Sequence, residues 1–180
     1  MKLGNYLADS AIRYPDELAY ICGAERVTFA ELQRRARTLC WAWLDDGYRP
    51  GERIALYLPN GSEVVDAMAA IALAGGIIVP VSTRLTPDEV RHIIHDAGVE
   101  RIVFDPAHRE LVTALDAERP FVQRVVAGAA EPGEVSFASL IAGDSLPPAP
   151  PALDPDTDDL VLGYTSGTSG RPKGAIGTHP

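Results

Sequence analysis

Residues 53–81 read RIALYLPNGSEVVDAMAAIALAGGIIVPV, and their pattern predicts one strand–helix–strand unit. Arg53–Leu58 is a short strand, and Pro59-Asn60-Gly61 is a turn. Ser62 is placed to cap a helix whose apolar residues Val64, Val65, Met68, Ile71, Ala72 and Leu73 leave little polar surface. A helix apolar on most sides is expected between layers. The Gly75–Gly76 pair ends it, and Ile77–Val81 is a continuous apolar run of the kind buried in parallel sheets. Residues 64–81 are the longest apolar stretch, but Asp66, the glycine pair and Pro80 interrupt it, so it does not read as a membrane span.

The same rhythm extends on both sides. Upstream, Thr28-Phe29-Ala30-Glu31 is a capping-box pattern opening a helix to about Asp46. Phe29, Leu32, Ala36, Leu39, Cys40 and Trp43 recur at three- and four-residue steps, which leaves Arg34, Arg35 and Arg37 largely toward solvent; Gly47 suits the C-terminal cap. Downstream, Thr86-Pro87-Asp88-Glu89 combines an N-cap, a first-turn proline and a capping-box glutamate, and Gly98 closes that helix. Arg101–Phe104 reads as a strand, Pro106–Ala117 as a helix and Phe121–Ala127 as a strand. Alternating β and α units predict an α/β fold, a layered and parallel sheet covered by helices.

Composition bounds the function. The chain has 180 residues, 46% hydrophobic and 23% charged, ordinary values for a globular domain. Acidic residues outnumber basic ones 25 to 16, for a formal charge of −9, which argues against nucleic acid or an anionic membrane as partner. An anionic ligand must then be held by a local device, such as a loop of backbone amides beside a cation. Cys22 and Cys40 lack metal-ligand spacing and are too few for a disulfide framework, so both are expected as reduced thiols. Met1–Ser10 shows no basic region followed by an apolar run, and the expected location is cytoplasmic. Pro147, Pro148, Pro150, Pro151 and Pro155, followed by Asp154, Asp156, Asp158 and Asp159, predict a stiff extended connector. That acidic run lacks the glycine turn and distal glutamate of a calcium loop. The expected organisation is an α/β subdomain over 1–146, a connector over 147–158, and a strand with a phosphate-binding loop over 159–180 that opens a further subdomain.

The chemistry concentrates after the connector. Leu160–Tyr164 is a strand pattern, and it runs into Thr165-Ser166-Gly167-Thr168-Ser169-Gly170-Arg171-Pro172-Lys173-Gly174. These ten positions hold four hydroxyls, three glycines and two cations. Glycines let several N–H groups converge on one anion, and hydroxyls add donors. Lys173 supplies a compact charge suited to phosphate oxygens. Of the 16 basic residues 14 are Arg, and Lys173 is the only lysine besides Lys2, a usage that singles the position out. A Walker loop fails because Pro172 precedes Lys173 and Gly174 follows it. A nucleophile elbow fails because Thr165 stands where the serine belongs, and the glycine spacing is wrong for a dinucleotide fingerprint. The residues alone predict a phosphate-gripping loop.

Residues 164–174 resemble the signature loop of the adenylate-forming enzymes, the superfamily of acyl-CoA synthetases, nonribosomal peptide synthetase adenylation domains and luciferases. Ser169 stands where threonine is usual, with the hydroxyl kept. Tyr57-Leu58-Pro59-Asn60 through Val79-Pro80-Val81, Arg84-Leu85-Thr86-Pro87-Asp88-Glu89 and Thr28-Phe29-Ala30-Glu31-Leu32 are similar to the N-terminal region of acyl-CoA synthetases. The resemblance implies the N-terminal part of the large domain of an ATP-dependent carboxylic acid–CoA ligase. It implies ATP, Mg2+ and coenzyme A as cofactors, a carboxylic acid of acyl type as substrate, and a place in fatty acid metabolism. It also implies that Thr165, Ser166, Gly167, Thr168, Ser169, Gly170 and Lys173 hold the β- and γ-phosphates of ATP. The thiol acceptor is coenzyme A or a carrier protein. The family's adenine site, acyl pocket and mobile C-terminal domain lie downstream of such a loop, so no catalytic or metal-binding residue is assigned here. The chain alone is expected to be inactive without the remainder of the enzyme or a complementing chain. The alternative is a non-catalytic truncated or split paralogue that binds phosphate or a partner.

Three other positions draw attention. His92 and His95, with Asp96 adjacent, lack a third zinc ligand and read as a surface or half-buried helical pair. His179 is either near the substrate or a structural strand-end residue. Arg84 reads as an exposed loop arginine.

Overall fold

The computed structural model describes residues 3–151, 159–165 and 172–179. The quoted stretch folds as β3 (Arg53–Tyr57), α3 (Ser62–Leu73) and β4 (Ile77–Pro80). Before it lie α1 (Leu3–Arg13), a hairpin of β1 (Leu18–Cys22) and β2 (Glu25–Thr28), and α2 (Phe29–Asp45). After it come α4 (Pro87–Asp96), β5 (Arg101–Phe104), α5 (Arg109–Glu118), β6 (Gln123–Val126), β7 (Val135–Ser136) and α6 (Phe137–Leu140). The chain ends with β8 (Asp159–Thr165) and β9 (Lys173–Thr178).

Among the described residues, seven strands form one sheet in the order β7-β6-β5-β3-β4-β8-β9. All neighbours are parallel except β8 and β9. The period of two along each strand divides the core into two layers. Ile54, Leu56, Ile78, Val103 and Val125 point to one face, where Leu39, Trp43, Ala67 and Ile71 of α2 and α3 cover them. Ala55, Tyr57, Val79, Ile102, Phe104 and Val126 point to the other, against Val90, Ile93 and Ile94 of α4 and Val112 and Leu115 of α5. Burial on both faces is why these strands are almost wholly apolar, and the α/β expectation holds.

The helix ends show where local chemistry decides and where it does not. Thr86 accepts from the Glu89 N–H while the Glu89 carboxylate accepts from the Thr86 N–H, a complete capping box. At α2, Thr28 accepts from the Glu31 N–H at 3.2 Å, but the Glu31 carboxylate turns to Arg34 and Arg35 instead. Ser62 is not the N-cap of α3; Gly61 takes that position with extended backbone. The region predicted as one helix from Pro106 begins as a short 3-10 turn, Pro106–His108, capped by Asp105.

Two expectations of exposure are corrected. Arg34 and Arg35 are half-buried, because Glu31, Glu25 and Asp66 draw them into ion pairs across the β1–β2 hairpin and α3. Helix α3 is not fully sandwiched between layers, since Val65 and Met68 remain exposed while Asp66 is buried. Asp66 accepts hydrogen bonds from the Tyr20 hydroxyl at 2.8 Å and from Arg35 at 3.1 Å, and burial raises its carboxyl above the usual range. Cys40 is buried in the core, where loss of water pushes its thiol up to about 12; Cys22 is half-buried, and both are free. The carbonyls of Pro147 and Pro148 accept from Arg37 and the Trp41 indole N–H, so the start of the proline-rich stretch is pinned to α2. Residues 152–158, with most of the acidic run, lie outside the described residues. No helix among the described residues is long and apolar enough to cross a membrane.

Arg101, 1% exposed at the start of β5, bridges the sheet to the end of α2. Its guanidinium donates to Glu52 at 3.1 Å and to Asp46, and lies 5.9 Å over the Tyr48 ring. Removing one partner of a buried pair strands the other. Arg101→Ala is expected to cost on the order of 3 kcal/mol or more in urea denaturation. Adding Glu52→Gln should recover part of that loss, and an Arg101→Ala cost under about 1 kcal/mol would show the pair to be solvent-screened.

Hydrogen bonds from Arg34, joined by Arg35 and opposed by burial, hold the Glu31 carboxyl down at about 2. A folded-state value below the ordinary 4.5 means that the stabilisation is complete above pH 4.5 and lost as pH falls toward 2. Asp66, shifted the other way, acts in the opposite sense. Glu31→Gln should therefore lose less stability than the wild type between pH 5 and pH 3, measured by chemical denaturation. Parallel pH curves for the two proteins would contradict the assignment.

Candidate functional site

The site forms at the carboxyl ends of the parallel strands. From β3 the chain crosses to β4 through α3 on one face, and from β4 it crosses to β5 through α4 on the other. The two loops diverge and leave a crevice between neighbouring strands, the usual ligand position in open α/β sheets. A cleft of about 830 Å³ lies there. Leu58 and Asn60 line it from the first loop, Val64 from the first turn of α3, Ser82 and Arg84 from the second loop, and Tyr164 from β8. Arg84 is exposed as expected, and it also borders this cleft.

Strand β8 pairs with β4 through Ile78 and Val161. It runs on to Thr165, beyond the end of β4 at Pro80, so its last residues project at the carboxyl edge. Strand β9 returns antiparallel, with Tyr164 opposite Gly174 and Thr165 opposite Lys173. The two described ends of the predicted phosphate loop are thus cross-strand neighbours, and both side chains are exposed. Ser166, Gly167, Thr168, Ser169 and Gly170 lie outside the described residues. Gly174 has a steric reason: a Cβ there would meet Leu162 Cδ1 at 3.0 Å and the Tyr164 ring at 3.3 Å.

Helix α4 contacts β8 and the residue that precedes β9. The Tyr164 hydroxyl donates to Asp96 Oδ2 at 2.6 Å, and His92 Nε2 lies 2.9 Å from the Pro172 carbonyl oxygen. The His92 and Tyr164 rings meet edge to face, with centroids 6.4 Å apart and planes at 84°. Burial, then the bond to Asp96, raises the Tyr164 hydroxyl well above its usual range, so it stays a proton donor. His92, read from the sequence as half of a surface or half-buried pair, is half-buried and faces the loop stem. His95 turns the other way and lies 3.2 Å from Glu118. The four-residue spacing of His92 and Asp96, one helical turn, was the available signal. His179 accepts from the Leu3 N–H at 3.1 Å and ties the end of β9 to α1.

Comparison with known proteins follows the same lines. The AMP-binding enzyme family matches residues 7–180. The chain belongs to that family. Among curated AMP-binding relatives, a feruloyl-CoA synthase of Amycolatopsis is 37% identical over 178 residues, covering 98% of this chain and 33% of the relative. A medium/long-chain-fatty-acid–CoA/3-oxocholest-4-en-26-oate–CoA ligase of Mycobacterium tuberculosis is 32% identical over 181 residues, covering 96% of this chain and 33% of the relative. Among solved structures, apo MbtA of Mycobacterium smegmatis superposes with a TM-score of 0.89 at 28% identity, over 99% of this chain and 34% of that one. The chain thus spans about a third of the length of the curated relatives it matches. As an AMP-binding family member it has the mostly parallel, helix-flanked sheet of those enzymes.

Proposed function

We propose that this chain is the N-terminal portion of an ATP-dependent carboxylic acid–CoA ligase, in which the turn between β8 and β9 grips the β- and γ-phosphates of ATP. The observation that carries the reading is the pairing of Thr165 with Lys173 across the hairpin, beside the crevice at the carboxyl edge. This pairing sets one of only two lysines opposite Thr165, at the edge of a hydroxyl- and glycine-rich stretch of sequence. Thr165, Ser166, Gly167, Thr168, Ser169, Gly170 and Lys173 are the proposed ligands.

In the proposed reaction a carboxylate oxygen attacks the α-phosphorus of ATP, and the bond to the β-phosphate breaks. Pyrophosphate leaves and an acyl-adenylate remains. The sulfur of coenzyme A then attacks the acyl carbon, AMP departs, and a thioester forms with loss of the thiol proton. The loop acts on the first step, because negative charge accumulates on the departing pyrophosphate. Fixed N–H, hydroxyl and ammonium donors lower that barrier without having to reorganise. Among the described residues no group of three or more His, Cys, Asp or Glu gathers to hold a metal ion.

The reading divides the chain into an α/β subdomain over 1–146, a connector over 147–158 and, from 159, the opening of a further subdomain. The exposed edge strand β9 supports this division, since further strands have a free edge to join. The acyl pocket, the adenine site and the acceptor-binding surface belong to parts that follow β9.

In the full-length gene product, Lys173→Ala is expected to weaken pyrophosphate binding and to lower carboxylate-dependent turnover by about 10²-fold, the effect of removing one charge-stabilising donor. Isothermal titration and pyrophosphate-exchange assays measure the two. Unchanged affinity and turnover would overturn the proposal. The isolated 180-residue chain should give no carboxylate-dependent exchange, and measurable exchange would contradict its reading as part of a larger machine.

A further inference from the structure

Helix α4 is covered on its core side by Val90, Ile93 and Ile94. His92 and Asp96 take no part in that packing; they reach the β8–β9 hairpin instead. The register of the hairpin ends at Thr165 opposite Lys173, so the carbonyl of Pro172 lies just beyond the ladder. His92 Nε2 lies 2.9 Å from that oxygen. A carbonyl can only accept, so Nε2 carries the proton and the ring is the donor. The other edge of the contact is fixed by the Tyr164 ring, which is itself tethered to Asp96.

We propose that His92 is a positioning residue for Lys173: by donating to the carbonyl of the preceding residue, it sets where the backbone of β9 begins and thereby where the ammonium stands. This rests on the reading of Lys173 as a phosphate ligand. The physical case is one of pre-organisation. Lys173 is exposed on a long flexible side chain, and proline at 172 offers no N–H to anchor its start. A donor from a helix buried on its other face supplies the missing anchor from outside the hairpin. His92 is 80 residues from Pro172 in sequence and Asp96 is 68 from Tyr164, so neither contact follows from local chain geometry.

The test uses the full-length gene product and inorganic pyrophosphate as the probe, with affinity read by titration calorimetry and folding by thermal melting. His92→Phe keeps a ring against Tyr164 and removes the donor; His92→Gln keeps a donor. His92→Phe is expected to weaken pyrophosphate binding about tenfold, the scale of one net hydrogen bond, with the melting temperature within a few degrees of wild type. His92→Gln should bind within about threefold of wild type. Wild-type affinity in His92→Phe, where Lys173→Ala has lost it, overturns the positioning role alone. Equal weakening in both His92 variants also overturns it, because a donor at position 92 would then recover nothing. Wild-type affinity in Lys173→Ala overturns the phosphate-loop reading itself.

Discussion

Strand β3 is hydrogen-bonded to β4 on one side and β5 on the other, and its Ile54, Ala55, Leu56 and Tyr57 are all buried. A short strand buried on both faces must be covered by helices above and below, and parallel neighbours must be reached by crossovers. The crossovers from β3 and β4 leave to opposite faces, so their loops cannot meet over the carboxyl ends. The crevice follows from that divergence. Everything at the candidate site is placed relative to it: the two loops that wall it, and β8, which joins the sheet beside β4.

The β8–β9 hairpin turns a linear motif into a local geometry. In sequence, Thr165 and Lys173 bracket a polar run; in the fold they are opposite partners at a sheet end. On the proposed reading, this is how a chain of net charge −9 would present a site for an anion. Long-range attraction is absent, so donors must be gathered within a few ångströms, where direct hydrogen bonds outweigh a screened field. The clustering of Glu25, Glu31 and Asp66 around Arg35 shows the same economy elsewhere, with charge satisfied locally rather than across the surface.

Legibility varied with how local the cause was. The capping box at Thr86–Glu89 was readable, because it is made by four consecutive residues. Glu31 has the same spacing, yet its carboxylate prefers two arginines on its own helix, and half of that box is never made. Ser62 looked like a cap, but the Pro59–Gly61 turn delivers Gly61 to that position. Helix α1, the β1–β2 hairpin, β7 and β9 were not identified. The residues of β9, with two glycines and all six positions exposed, carry no apolar alternation to read. The solvent-facing arginines of α2 were misjudged because periodicity ranks apolar faces and says nothing of a buried carboxylate arriving from α3.

The sequence by itself determined the α/β class, the central strand–helix–strand unit, the family and the loop whose composition suits phosphate. These rest on short-range causes: apolar period, caps, turn residues and a contiguous motif. The tertiary structure alone decided which strands are neighbours, that Thr165 faces Lys173, and that Asp96 and His92 of α4 meet Tyr164 of β8 and Pro172 just before β9. The contacts of His92 and Asp96 join residues 80 and 68 positions apart. Such pairs become neighbours only when the sheet closes over its core, and no local pattern in either partner encodes the other.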